Sequence, residues 1–425
     1  MILKKTFPLI LLLLLFNCGK ATVTKSEDYS TYLNEAVDKS ALIADTEIWT
    51  SKLNANPNQY PYLIKRASGY TAIFDATGDI DFLIKAENDL KHAIEVTKGK
   101  TTSYLRSLAS NYISQHRFKE ALGLLQQAEK NGDKLKGTEK MLFDVHLELG
   151  NYFAAKSYLN SFKNTSDFDY LIRLAKWEDH NGNLDQAIIQ MEKAKAIAEA
   201  SNLKSLKQWS YTNLGDFYGH AGEIEKSYMY YLKALELDST DAHAKKGIAW
   251  IAFSYENHPK IALKILEQIS TYYKAPDYLL LKAEIANYMQ NNKLKDEAIA
   301  DYNKMVRNSN YGDMYNAYNV LLYAENMMLP EHALEIAKIE VENRPTPQSY
   351  DLLAWSYFKK GDVEKANSII ENYVDGQSSE PTVLYHIAEI YKAAGKTDLV
   401  SDLKNELVAS IYELGPNMAS KINQL

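Results

Sequence analysis

The chain has 425 residues, 46% of them hydrophobic and 24% charged, with a formal net charge of −7, which is the composition of a folded protein rather than a disordered one. A pI near 5.8, with no block of like charges, excludes the basic stripe of a nucleic-acid binder. Only 18 Gly and 10 Pro punctuate the sequence, too few for the turns of a sandwich or barrel, so a nearly all-helical fold is expected.

Met1 to Lys5 carries two lysines, and an apolar run of ten residues follows from Phe7 to Phe16, ended by Asn17, Gly19 and Lys20. The run is too short for the roughly 20 residues of a spanning helix and has the layout of a secretory signal. Leu15, Phe16, Asn17 and Cys18 resemble the lipobox of bacterial lipoproteins, although Asn17 stands where Ala, Gly or Ser is usual. The resemblance implies that signal cleavage leaves Cys18 as an acylated N-terminus, so that the membrane is a partner through a lipid anchor. Cys18 is also the sole cysteine, which rules out intramolecular disulfides and a thiolate zinc site. Residues 19–29 read as a polar tether. Lys20 is followed by Ala21 and Thr22, and the acidic Glu27 and Asp28 come only later. An outer-membrane anchor facing the periplasm is therefore expected, with surface display as the alternative.

Residues 30–55 read as an N-terminal helical cap. Beyond them the sequence repeats itself. Tyr211, Leu214, Gly215 and Tyr218 are followed by Ser227, Tyr231 and Ala234; the spacing returns as Tyr350, Leu353, Ala354, Tyr357, Ala366, Ile370 and Tyr373, and again as Leu384, Ile387, Ala388 and Tyr391. This resembles the tetratricopeptide repeat, whose period of 34 residues separates Ala354 from Ala388. Small residues also recur twelve apart, as Ala109 with Ala121, Ala175 with Ala187, Gly215 with Ser227, Ala286 with Ala298 and Ala354 with Ala366, with a turn signal such as Gly182, Gly222 or Gly361 between. Each pair marks a close crossing of two helices in one hairpin. A hairpin of that kind must stack on its neighbours to bury its faces. The expected architecture is an all-α, tetratricopeptide-like α-solenoid of about ten antiparallel helix pairs over residues 56–414, wound as a right-handed superhelix. An insertion is expected near Asp75 to Asp81, a shortened first helix near Leu142, a long helix from Asp185 to about Ser201, and a short capping helix or tail over residues 415–425.

No phosphate loop, H-E-x-x-H motif or calcium loop occurs, so no cofactor and no catalysis are expected. His116, His180 and His220 fall at turns, where solvated side chains are the ordinary outcome. The close carboxylates Asp79 with Asp81 and Asp167 with Asp169 fall at helix starts, where capping accounts for them. The resemblance implies that the first helix of each pair lines a concave groove. Carried onto this chain, the groove positions are Trp209, Asp216, Asp351, Trp355, Phe358, Tyr385, Glu389 and Lys392. An aromatic, mixed-charge groove suits a peptide or extended protein segment. The leading expectation is a non-catalytic protein-protein interaction scaffold anchored in the cell envelope. The alternative is a glycan- or nutrient-binding lipoprotein on the same hairpins.

Overall fold

The computed structural model describes residues 22–425; the expected signal segment and Cys18 lie outside the described residues. Two helices, α1 (Ser26–Leu33) and α2 (Lys39–Ala55), precede the array. Ten antiparallel pairs follow: α3 (Pro61–Thr77) with α4 (Ile80–Val96), α5 (Thr102–Ser114) with α6 (Phe118–Asn131), α7 (Leu135–Glu148) with α8 (Tyr152–Ser161), α9 (Phe168–His180) with α10 (Leu184–Ser201), and α11 (Lys204–His220) with α12 (Ile224–Leu237). The second five are α13 (Ala242–Trp250) with α14 (Pro259–Ser270), α15 (Pro276–Tyr288) with α16 (Asn292–Val306), α17 (Asn316–Leu321) with α18 (Pro330–Asn343), α19 (Pro347–Lys359) with α20 (Val363–Tyr373), and α21 (Pro381–Ala393) with α22 (Thr397–Ala409). Two short helices, α23 (Ile411–Leu414) and α24 (Ala419–Gln424), close the chain, and no strand occurs among the described residues.

The small-residue interval does what its spacing implies. Ala109, Ala121, Ala175, Ala187, Ala354 and Ala366 are fully buried, and a Cβ on Gly215 would fall 2.4 Å from the Tyr231 ring, so only glycine admits that crossing. The Ser227 hydroxyl then donates to the Gly215 carbonyl at 2.6 Å. Six of the prolines open helices, where their missing N–H costs nothing. Asp79 and Asp167 accept from backbone N–H groups at the starts of α4 and α9, as capping residues do. Three local expectations are corrected. The turn between α3 and α4 is only Gly78 and Asp79, so there is no insertion at 75–81; both helices simply run 17 residues. In the pair around Leu142, α7 has a full 14 residues and its partner α8, with 10, is the short one. Residues 22–29 are docked rather than free, as described below.

The α13 and α17 helices each end in one π-helical turn, Ile251–Tyr255 and Leu322–Asn326. Such widened turns relax the i to i−4 ladder and often accompany functional sites.

The array coils until it meets itself. Gly78, at φ +65°, lies so near the second layer that a Cβ would stand 2.9 Å from the Lys274 carbonyl, and Lys274 N–H donates to the Thr77 carbonyl at 2.7 Å. Gly150 meets the Pro345 carbonyl in the same way, at 2.8 Å from a Cβ, and Gly182 lies in ordinary contact with the Ser379 side chain. In each case the partners are 195 to 197 residues apart, so one layer of the coil spans between five and six helix pairs. Glu148 ties the layers electrostatically, taking Lys176 at 2.8 Å from its own layer and Arg344 at 3.1 Å from the next. Asn308 and Asn310 both donate to Asp81 across the same seam.

Candidate functional site

First helices line the inside of this coil. A cavity of about 580 Å³ between the layers is bounded by α7, α9 and α11 on one side and by the segment 377–381 on the other, with Glu148, Lys176, Asp179, His180 and His220 among its walls. A second, of about 890 Å³, continues along α13, α15, α17 and α21, past Lys246, Trp250, Glu284, Glu325, Tyr385 and His386. The walls alternate charge with aromatic surface, as an inner groove built from one helix per pair should.

At the centre of the groove stand α11 and α13. The Asp216 carboxylate accepts from the Tyr231 hydroxyl at 2.6 Å and pairs with His243 Nε2 at 2.9 Å. Burial pushes the Asp216 carboxyl up, but the His243 hydrogen bond and charge, with the Tyr231 hydroxyl, outweigh it and hold the group below its usual value. His220, at the C-terminal end of α11, pairs with Glu413 at 2.6 Å. Burial pushes its imidazole down, yet the Glu413 hydrogen bond and the charges of Glu413, Asp216 and Asp179 raise it overall.

Residues 210–241 match the tetratricopeptide repeat. That span holds α12 and the part of α11 from Ser210 on, including Asp216, Gly219 and His220. No relative among curated proteins matches the sequence. Among solved structures, the chain is similar to human IFIT1 in its dimer with m7Gppp-AAAA (13% identity, 78% of this chain and 76% of that chain covered, TM-score 0.47). It is also similar to a tetratricopeptide repeat protein from Parabacteroides merdae (16%, 58% and 93%, TM-score 0.39) and to the Pseudomonas aeruginosa pilF structure (13%, 51% and 97%, TM-score 0.37).

The groove positions carried over from the tetratricopeptide pattern separate into three groups. Asp216 and Tyr385 line the cavities, and the Tyr385 hydroxyl donates to Glu389 at 3.0 Å. Lys392 donates to the Gln424 carbonyl of the chain's own C-terminus. Trp355 and Asp351 are buried and present no surface to the groove. Trp355 is 1% exposed, stacked on His386 at 3.9 Å, with its Nε1–H donated to Glu325 at 3.1 Å. Asp351 is buried against His386 Nδ1 at 2.8 Å, and Phe358 stacks on Trp355 at 5.2 Å. These three pack one hairpin on the next because the bulky His386 and Tyr385 of α21 fill the space that a smaller neighbour would leave open. Trp209 is exposed and meets Phe168 edge-on at 6.0 Å.

The largest omission is the occupant. Residues 411–418 run inside the coil against α11, α13 and α15. The Tyr412 ring lies on Gly219, where a Cβ would stand 3.2 Å from its Cε1, and its backbone carbonyl accepts from Trp250 Nε1 at 3.1 Å and Ser254 Oγ at 2.6 Å. Asn417 donates to the Glu284 carbonyl at 2.9 Å. Lys421 pairs with Glu325 at 3.3 Å. Trp250 and Ser254 lie 34 residues after Asp216 and His220, so carrying the repeat period forward from α11 would have found both.

Proposed function

We propose that the chain is a non-catalytic interaction scaffold that holds a short segment of a partner protein against the inner face of its coil. One observation carries this reading: the inner face already receives a short segment of the chain, residues 411–418, folded as a helical turn (Ile411–Leu414) and a 3-10 turn (Pro416–Met418), and grips its backbone through side-chain donors, Trp250 Nε1 and Ser254 Oγ, on the Tyr412 carbonyl. Backbone recognition of that kind suits many sequences, while the Gly219 seat and the His220 charge supply selectivity. The tetratricopeptide match over 210–241 supports it by placing the repeat at the segment that forms the seat. No group of three or more metal-ligating side chains occurs among the described residues, and no helix there is long and apolar enough to cross a membrane.

Attachment to the cell envelope through an acylated Cys18 belongs to the same proposal, on the strength of the Leu15 to Cys18 pattern. Two experiments test it. A photo-crosslinking amino acid at Lys246, on the wall of the groove, should trap one defined protein in intact cells; a diffuse background equal to that from the exposed Phe153 would overturn the scaffold reading. Labelling with a fatty-acid analogue should be lost in Cys18→Ser, and equal labelling of both forms would remove the anchor.

A further inference from the structure

The C-terminal segment leaves the last helix pair at Ser410 and divides into two parts. The α24 helix caps its neighbour: Ile422 is 1% exposed in the same core cluster as the residues of α22. Residues 411–418 do something a cap does not need. They reach back to α11, α13 and α15, so that Tyr412 meets Trp250 across 162 residues of chain.

Their contacts are those of a ligand. An aromatic ring fills a seat that exists because residue 219 lacks a Cβ. The next side chain, Glu413, meets His220. The backbone then passes Trp250 and Glu284 at Gly415, with φ 80° and ψ 159°, a conformation that L side chains rarely adopt; a Cβ there would fall 2.6 Å from Glu284 Oε1. All of residues 411–414 and 416–418 remain half-exposed, so the segment is held by a few directed contacts and by the partial apolar packing of Ile411, Tyr412, Leu414 and Met418 rather than by deep burial.

We propose that residues 411–418 are a tethered pseudo-ligand: they occupy the groove until displaced by a partner segment of like chemistry, an aromatic residue followed by an acidic one and then a tight bend. The proposal rests on the scaffold reading for the existence of an outside partner, but the occupancy itself stands on the chain alone. A segment tied this closely has an effective concentration on the order of millimolar. With an intrinsic Kd of about 10 µM, it would leave the groove open about 1% of the time and raise an outside ligand's apparent Kd about 100-fold.

The test uses a fluorescent synthetic peptide spanning residues 408–420, titrated into the full chain by anisotropy, with hydrogen exchange of residues 411–418 read in parallel. Gly415→Val strains the segment without altering the groove wall; Tyr412→Ala removes the ring and serves if Gly415→Val does not fold. Either variant should expose residues 411–418 to exchange and bind the peptide at least about 30-fold more tightly than the unaltered chain. Adding Gly219→Val, which fills the seat, should abolish that binding. The proposal is overturned if the segment opens and the peptide still does not bind, since the segment is then only a brace. It is equally overturned if both variants leave the segment protected, or if the unaltered chain binds the peptide as tightly as they do. A failed peptide test with a retained crosslink at Lys246 would leave the scaffold standing without the pseudo-ligand, and the reverse result would do the opposite.

Discussion

The two ends of the described chain fold back onto the same π-helical turn from opposite sides, and they are held by different physics. Outside, residues 22–37 lie on the second helices α12 and α14. The Glu256 carboxylate, its side chain 1% exposed, accepts the N–H groups of Val23 and Thr24 at 2.7 and 2.6 Å and the Thr24 hydroxyl at 2.7 Å. Tyr29 and Leu33 are buried beneath, and Lys245 Nζ donates to the Glu35 carbonyl at 3.0 Å. Inside, the side chains of the 411–418 segment are only partly buried, Ile411, Leu414 and Met418 against one core cluster and Tyr412 against another, and single donors and one aromatic seat supply its directed contacts. The outer segment is thus part of the core, whereas the inner one can exchange for something else.

Substitutions can break this contrast. The largest effect is expected from Trp355→Ala, which would remove a fully buried ring beneath Glu325 and cost about 3–5 kcal/mol. Denaturant unfolding followed by circular dichroism should show it as early loss of the C-terminal pairs; a change under about 1 kcal/mol would contradict the core position. Next, Glu256→Ala leaves two partly buried N–H groups without their acceptor, at a cost of about 2–3 kcal/mol. Hydrogen exchange should then lose roughly 30- to 100-fold protection at residues 23–37, and protection at 411–418 should hold.

Acidity sharpens the contrast further, because the two ends respond with opposite sign. Inside, His220 is raised above its usual value, so its contribution is complete below about pH 6.5 and fades as pH rises through the folded value. Burial also pushes the Glu284 carboxyl up to about 7 against the opposing influences of Asn417 and Lys421, so the packed form is favoured while that carboxyl stays protonated. Raising pH from 5 to 8 should therefore lower protection of residues 411–418 by about tenfold. Outside, burial pushes the Lys245 ammonium down to about 8. Its charged form is disfavoured in the fold, so stability of the outer segment should rise between pH 8 and 10. Exchange rates corrected for intrinsic pH dependence decide both, and parallel trends at the two ends would refute the assignment. The smallest effect is expected from Trp250→Phe, which keeps the ring but drops one donor to Tyr412; about 1 kcal/mol, or roughly fivefold in protection of 411–418, should follow, with residues 23–37 unchanged.

What could be read from the sequence follows the range of the forces involved. Helix pairing was legible because Gly215 against Ser227 or Ala354 against Ala366 is a contact within one hairpin, fixed by a twelve-residue interval. The helix starts were legible through Asp79 and Asp167 for the same reason. The first pair was misjudged since Gly78 and Asp79 look like part of a longer loop when no strong repeat signature flanks them. The closure of the coil was not legible, because the meeting of Gly78 with Lys274 depends on small rotations summed over more than five hairpins. Trp355 was assigned to the groove from a position shared with Asp216 and Trp250, but the groups opposite decide which way such a position serves: the His386 ring covers Trp355, whereas Trp250 meets the carbonyl of Tyr412, whose ring lies on Gly219. His220 read as an ordinary turn residue because its partner, Glu413, is 193 residues distant.

Most solenoids gain or lose a repeat with little penalty, since each unit touches only its neighbours. Here the glycine turns at 78 and 150 each have an assigned seat against backbone of the layer above. One additional hairpin of 34 residues would advance every seat by about a sixth of a revolution and set side chains against turns that admit none. The number of units is therefore fixed by the stacking of the layers, and this chain should tolerate point changes on its rim far better than any change in length.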